Sequence, residues 1–176
     1  MRLIASHQNV DFSAEAVRMG QEAQADKDAL CAMHWVRADL RSWADVSHLT
    51  RFAPFDVIMD KSTSDSISTS EPLVFPHPDN MNNVCPTIQE AMEGQESTPL
   101  SLSPVETLAL HLVPLTDTGT TWVALSYSTC RFDNMRVAGR YWKLVSRTPI
   151  RAPAGELSSS AHAPEIFHWL YLLRRI

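Results

Sequence analysis

The chain has 176 residues, 44% of them hydrophobic and 20% charged, with a net charge of −5. That is enough chain for one domain with a real core, and an acidic total gives no electrostatic reason to expect nucleic acid or an anionic membrane as a partner. No apolar run approaches the ~20 residues that a bilayer span needs, and Met1–His7 lacks the apolar core of a signal peptide. Cys31, Cys85 and Cys130 are widely spaced and odd in number, with no CxxC pair. They fit a reducing compartment rather than a disulfide framework, and a cytosolic or nuclear protein is the default, with the cytoplasmic compartment favoured. The seven histidines are scattered, without HExxH or helical metal spacing.

In chain order, Gln8–Phe12 reads as the end of a short strand closed by Asp11. Ser13 is a good N-cap for a helix from Ala14 to about Ala25. Asp26-Lys27-Asp28 breaks it. A second strand is expected over Met33–Ala38, ending at Asp39. After a polar connection, Val57-Ile58-Met59 reads as a buried strand that stops at Asp60-Lys61-Ser62-Thr63-Ser64-Asp65. Ser62 or Thr63 can cap a following helix, with Asp65 near its positive end.

The order strand–helix–strand–loop–strand suits a parallel sheet. Three strands then end in acids, Asp11, Asp39 and Asp60. In a parallel sheet those ends share one edge, where α/β proteins bind ligands. The bland alternative is that Asp merely starts turns.

Residues 66–100 form a Ser/Pro/Asn-rich stretch, broken by Pro72, Pro76, Pro78, Pro86 and Pro99. It reads as an insertion or lid within a single domain spanning 1–176, since loops of this length are usually functional or disordered. Ser103-Pro104-Val105-Glu106 is a clean helix start, with Val105, Leu108, Leu112 and Leu115 on one face. Thr121–Ser128 reads as another buried strand. Tyr141–Val145 and Glu165–Leu173 follow as two strands without a helix between them, so they must pair antiparallel.

These pieces together resemble class I S-adenosylmethionine-dependent methyltransferases, a Rossmann-like α/β fold with a mostly parallel sheet and a C-terminal antiparallel hairpin. The resemblance is nearest to the elongation-factor lysine methyltransferase group and its fungal relatives. That group carries "VDFS" at its second strand, "AD" after the third, "FDxxxDKGTxDA" at the fourth and "WxxxSYS" at the fifth. Here stand Val10-Asp11-Phe12-Ser13, Ala38-Asp39, Phe55-Asp56 to Asp60-Lys61-Ser62-Thr63-Ser64-Asp65, and Trp122 to Ser126-Tyr127-Ser128.

The resemblance implies S-adenosyl-L-methionine as cofactor. Asp11 and Phe12 would lie at its ribose, Asp39 and Leu40 at its adenine, and Asp60 at its methionine end. Asp60, Lys61, Thr63 and Asp65 would shape the transfer site and substrate entrance. The implied partner is a protein substrate, a translation factor among the candidates, methylated on lysine.

Two departures stand out. Ser62 replaces the group's glycine, and no GxG occurs anywhere. The group's first strand and glycine turn belong about twenty residues before Asp11. The expectation is therefore an N-terminally truncated chain whose sheet carries unpaired edges, with weak donor binding. The alternative function is a non-catalytic, methyltransferase-like interaction module. A hydrolase is disfavoured because Ser126-Tyr127-Ser128 is not a GxSxG elbow.

Overall fold

The computed structural model of the chain describes residues 7–28, 33–76, 83–93, 99–152 and 165–176. Cys31, the 77–82 and 94–98 parts of the Ser/Pro/Asn-rich stretch and the 153–164 part of the last loop lie outside these residues. Strand β1 (Gln8–Asp11) leads into helix α1 (Ala14–Gln24) and returns as β2 (His34–Arg37), parallel to β1 with Val10 opposite Val36. Ser13 caps α1 as its position predicts, its hydroxyl accepting from the Ala16 amide at 3.2 Å. The helix packs on β2 through Gly20, where a Cβ would stand 2.1 Å from the Trp35 ring.

Next come α2 (Trp43–Ser47), a 3₁₀ turn at His48–Phe52, and β3 (Phe55–Lys61), with α3 (Thr63–Ile67) directly behind it. Then follow β4 (Leu73–Phe75), α4 (Pro86–Met92), β5 (Leu100–Leu102) and α5 (Pro104–Leu112). The chain closes with β6 (Thr116–Ser126), β7 (Trp142–Arg151) and β8 (Phe167–Arg175).

The main sheet has the order β3-β6-β8-β7, with β3 and β6 parallel and β8 antiparallel to both β6 and β7. The expected terminal hairpin is therefore present. β1 and β2 form a separate two-stranded sheet, and among the described residues no ladder joins β1 to β3.

The core lies on one face of the main sheet. Trp122, Ala124, Trp142, Tyr171 and Leu173 point into it against α4 and α5. All nine residues of α5 are buried, although Leu108 and Leu112 alone would suggest a single apolar face. The difference is physical: α3, α4 and a 3₁₀ turn at Ala138–Arg140 also pack against this helix, and a helix enclosed on all sides is buried all round. Glu106 survives there because its carboxylate accepts from the Val137 and Ala138 amides, so a buried charge is hydrogen-bonded rather than stranded.

The Ser/Pro/Asn-rich stretch also differs from a plain loop. β4 pairs antiparallel with β5. α4 sends Ile88, Ala91 and Met92 into the core. Pro86 at the start of α4 explains why a proline-rich segment still holds a helix, since proline is tolerated in the first turn.

Candidate functional site

The strand ends converge on a cleft of about 420 Å³. Asp11 and Phe12 line it from the end of β1, Asp39, Leu40 and Arg41 from the end of β2, and Lys61, Ser62 and Thr63 from the end of β3. Ser66, Ile67, Thr69 and Ser70 close the side formed by α3 and the turn after it. Parallel pairing of β1 with β2 brings the first two ends together, and the β3 turn faces them across the cleft.

Each carboxylate at the rim has a different environment. Asp11 Oδ1 accepts from the Ser13 amide at 2.8 Å, which fixes the side chain and leaves Oδ2 without a protein partner among the described residues. Asp39 is tied more tightly. Arg41 donates to its Oδ1 through Nε at 3.2 Å and to its Oδ2 through a terminal nitrogen at 2.9 Å. The Arg41 side-chain bond holds the Asp39 carboxyl below the usual carboxylate range, against the opposing effect of partial burial. The other terminal nitrogen of Arg41 reaches the Ser70 hydroxyl at 2.8 Å, so one guanidinium bars the cleft from β2 to the turn behind α3.

Asp60 plays another part. Its Oδ1 accepts from the Thr63 amide at 2.7 Å and from the Ser64 amide at 3.2 Å. It thus caps α3, the role that Ser62 or Thr63 was expected to fill; the Ser62 side chain makes no capping bond. Burial is the largest influence on the Asp60 carboxyl and pushes its pKa up, with the Ser64 and Thr63 donors pulling the other way. Ser62 sits at φ 64°, in the left-handed region. A glycine would adopt that conformation freely, which is why the turn suits one.

Asp65 points away from the cleft toward the end of β6. Its Oδ1 accepts from Ser126 Oγ at 2.5 Å and from Arg131 Nε at 2.8 Å, and its Oδ2 from the Tyr127 amide at 2.9 Å. Of the eight residues singled out in the sequence, six line the cleft. Asp60 borders the slot between β1 and β3, and Asp65 ties α3 to the loop after β6.

Two residues were missed. Arg41 was readable as Asp-x-Arg after a strand, a spacing that lets a guanidinium fold back on the acid. His111 carried no signal in the sequence. Its ring lies in α5, with Nδ1 2.9 Å from the Leu40 carbonyl and its plane tilted against Trp43. Burial pushes its pKa down. Its Nδ1–H donates to that carbonyl in the tautomer the contact requires, bracing the loop that carries Asp39 and Leu40. Among the described residues no group of three His, Cys, Asp or Glu side chains could hold a metal ion.

This architecture is a Rossmann-like methyltransferase fold, with the cleft at the carboxyl ends of its parallel strands. No protein-family model and no curated protein matches the chain. Solved structures do. A protein described under conversion of a disulfide bond into a thioacetal group during echinomycin biosynthesis superposes with a TM-score of 0.55 at 14% identity. N-methyltransferase NodS from Bradyrhizobium japonicum WM9, in complex with S-adenosyl-L-homocysteine, gives 0.53 at 11%. TrmN from Thermus thermophilus gives 0.50 at 14%. Each superposition covers 97% of this chain, but this chain spans 66%, 66% and 36% of those proteins respectively. Among the described residues no helix is long and apolar enough to cross a membrane.

Proposed function

We propose that the chain is an S-adenosyl-L-methionine-dependent methyltransferase domain, spanning residues 1–176, that acts on lysine in a protein, with a translation factor among the candidate substrates and the cytoplasm as its compartment. The observation that carries the cofactor reading is the convergence of Asp11 and Asp39 on one cleft at the ends of adjacent parallel strands.

The cleft fits the cofactor. Its volume lies within the ~300–1,000 Å³ of ordinary small-molecule sites. The free Oδ2 of Asp11 suits a ribose diol, because a carboxylate oxygen accepts without donating. Asp39, kept ionised by Arg41, would accept from an adenine amino group, with Leu40 and the exposed Phe12 ring offering apolar surface beside the base.

The cofactor supplies an electrophilic methyl group on a sulfonium. The protein would hold a neutral amine in line with that methyl group, since alignment contributes most to such a displacement, with the thioether leaving as S-adenosylhomocysteine and the amine's proton passing to solvent. Lys61 and Thr63 border the cleft where substrate would enter. Asp60 and Asp65 act there through the turn they hold, one capping α3 and the other anchoring it to β6.

Calorimetric titration of S-adenosylhomocysteine into the chain tests this reading, with Asp11→Ala as control. Micromolar binding that the control loses supports it. A folded chain that binds none would sink it and favour the second reading, a non-catalytic interaction module. The specific support for that reading is the pair of strands, β1 and β3, that flank a gap.

A further inference from the structure

Asp39 faces the cleft with most of its accepting capacity already used. A carboxylate offers about four acceptor positions, two on each oxygen. Its Oδ1 accepts from the Arg41 amide at 3.0 Å and from Arg41 Nε at 3.2 Å, and its Oδ2 from an Arg41 terminal nitrogen at 2.9 Å. Among the described residues this leaves one position open, on Oδ2. The backbone beneath is fixed as well, since the Asp39 amide donates to Asp45 Oδ2 at 2.9 Å. Arg41 thus decides which way the remaining acceptor faces. The same guanidinium donates to the Ser70 hydroxyl at 2.8 Å.

Ser70 belongs to the turn that ends α3, and its amide donates to the Ile67 carbonyl at 3.0 Å. α3 has only five residues, too few to hold a helix by their own backbone bonds. It is held from outside instead. Asp60 and Asp65 secure its start, and the Arg41–Ser70 bond secures the turn behind it. In the open cleft that last tie is weak. The Arg41 and Asp39 side chains are 43% and 38% exposed, and water competes for the donors and acceptors of so open a pair.

We infer that Arg41 is a positioning residue that couples the base end of the donor site to α3: a base amino group that takes the open Oδ2 position covers Arg41 and tightens its tie to Ser70. The physical cause is exclusion of water. A charge-assisted bond gains strength as the local dielectric falls. The coupling is reciprocal, so whatever the ligand gives the tie, the tie gives the ligand. Lysine cannot take this part, because a compact ammonium lacks the planar fork that grips Asp39 and Ser70 at once. α3 begins at Thr63, on the substrate side of the cleft, so the consequence is an order of binding, donor before amine. The inference rests on the methyltransferase reading.

The test is hydrogen–deuterium exchange of the whole chain with and without S-adenosylhomocysteine, read at Ser66–Ser70, with the dissociation constant of the same ligand measured by calorimetry. In the wild type the ligand is expected to slow exchange there about tenfold, as a tied turn opens less often. Ser70→Ala removes the acceptor and leaves Arg41 and Asp39 in place, so it is expected to bind the ligand and lose the slowing. Arg41→Lys is expected to lose the slowing and to bind about tenfold more weakly, the scale of one hydrogen bond to a charged group. Slowing that survives in Ser70→Ala, wild-type binding without slowing, or Arg41→Lys binding as tightly as the wild type would each overturn the inference and leave the methyltransferase reading standing. A wild-type chain that binds no ligand overturns both.

Discussion

The Arg131 guanidinium lies 2.8 Å from the Asp65 carboxylate, with both side chains mostly shielded from water. That pair joins α3 to the loop after β6, across a sequence separation of 66 residues. Removing one partner leaves the other charge buried and unmatched. Asp65→Asn is therefore expected to cost roughly 3 kcal/mol in chemical denaturation. The double variant with Arg131→Met should recover part of that loss, because it buries no lone charge. A double-mutant cycle reads the coupling directly, and an Asp65→Asn cost equal to that of an ordinary surface substitution would contradict this account.

The left-handed turn at Ser62 predicts the opposite kind of effect. Ser62→Gly relieves backbone strain but loosens the unfolded chain, so the net gain is expected to be small, up to about 1 kcal/mol. Ser62→Val, with a branched side chain at the same φ, should destabilise by more than that. Thermal melts of the two variants should move in opposite directions.

Gly20 meets Trp35 with no room for a Cβ. Gly20→Ala is expected to push α1 off β2 at a cost of about 1–3 kcal/mol, the usual range for overpacking. Adding Trp35→Val should restore most of the stability. Without that rescue, the contact would not be what holds α1 in place.

His111 predicts a pH dependence. Its pKa is lowered from 6.5 in the fold by burial. The unfolded chain therefore binds the proton more readily than the folded one, and stability falls as pH drops below 6.5 toward the lower folded value. Above 6.5 the ring is neutral in both states and contributes no slope. Denaturation midpoints measured across this window should fall on acidification in the wild type and fall less in His111→Gln. Other acids and histidines contribute their own slopes, so the difference between the two proteins is the quantity to read.

The strands and caps were legible in the sequence because local chemistry sets them. Val57-Ile58-Met59 is a strand that ends at a polar turn, though not the buried one expected, since Val57 is 56% and Met59 83% exposed; Ser13 and Ser103 stand where helices begin and do cap them. The hairpin of β7 and β8 followed from the lack of a helix between two apolar runs. What was not legible depends on neighbours distant in sequence. α5 looks one-sided until α3 and α4 close around it. α4 looks like loop because its proline is the feature that usually ends helices. In the site, the acids stood out, but their partners did not. Asp60 seemed free to meet a ligand and instead caps α3, while Asp65 is held by residues more than sixty positions away. Arg41 was missed although it stands two residues from Asp39.

The contact between His111 and the Leu40 carbonyl joins two very different parts of the molecule. His111 belongs to the most enclosed helix of the fold, whereas Leu40 belongs to the wall of an open cleft. One hydrogen bond thereby ties the interior to the cleft wall, so a substitution beneath α5 has a direct route to the Leu40 backbone without any change in the cleft itself.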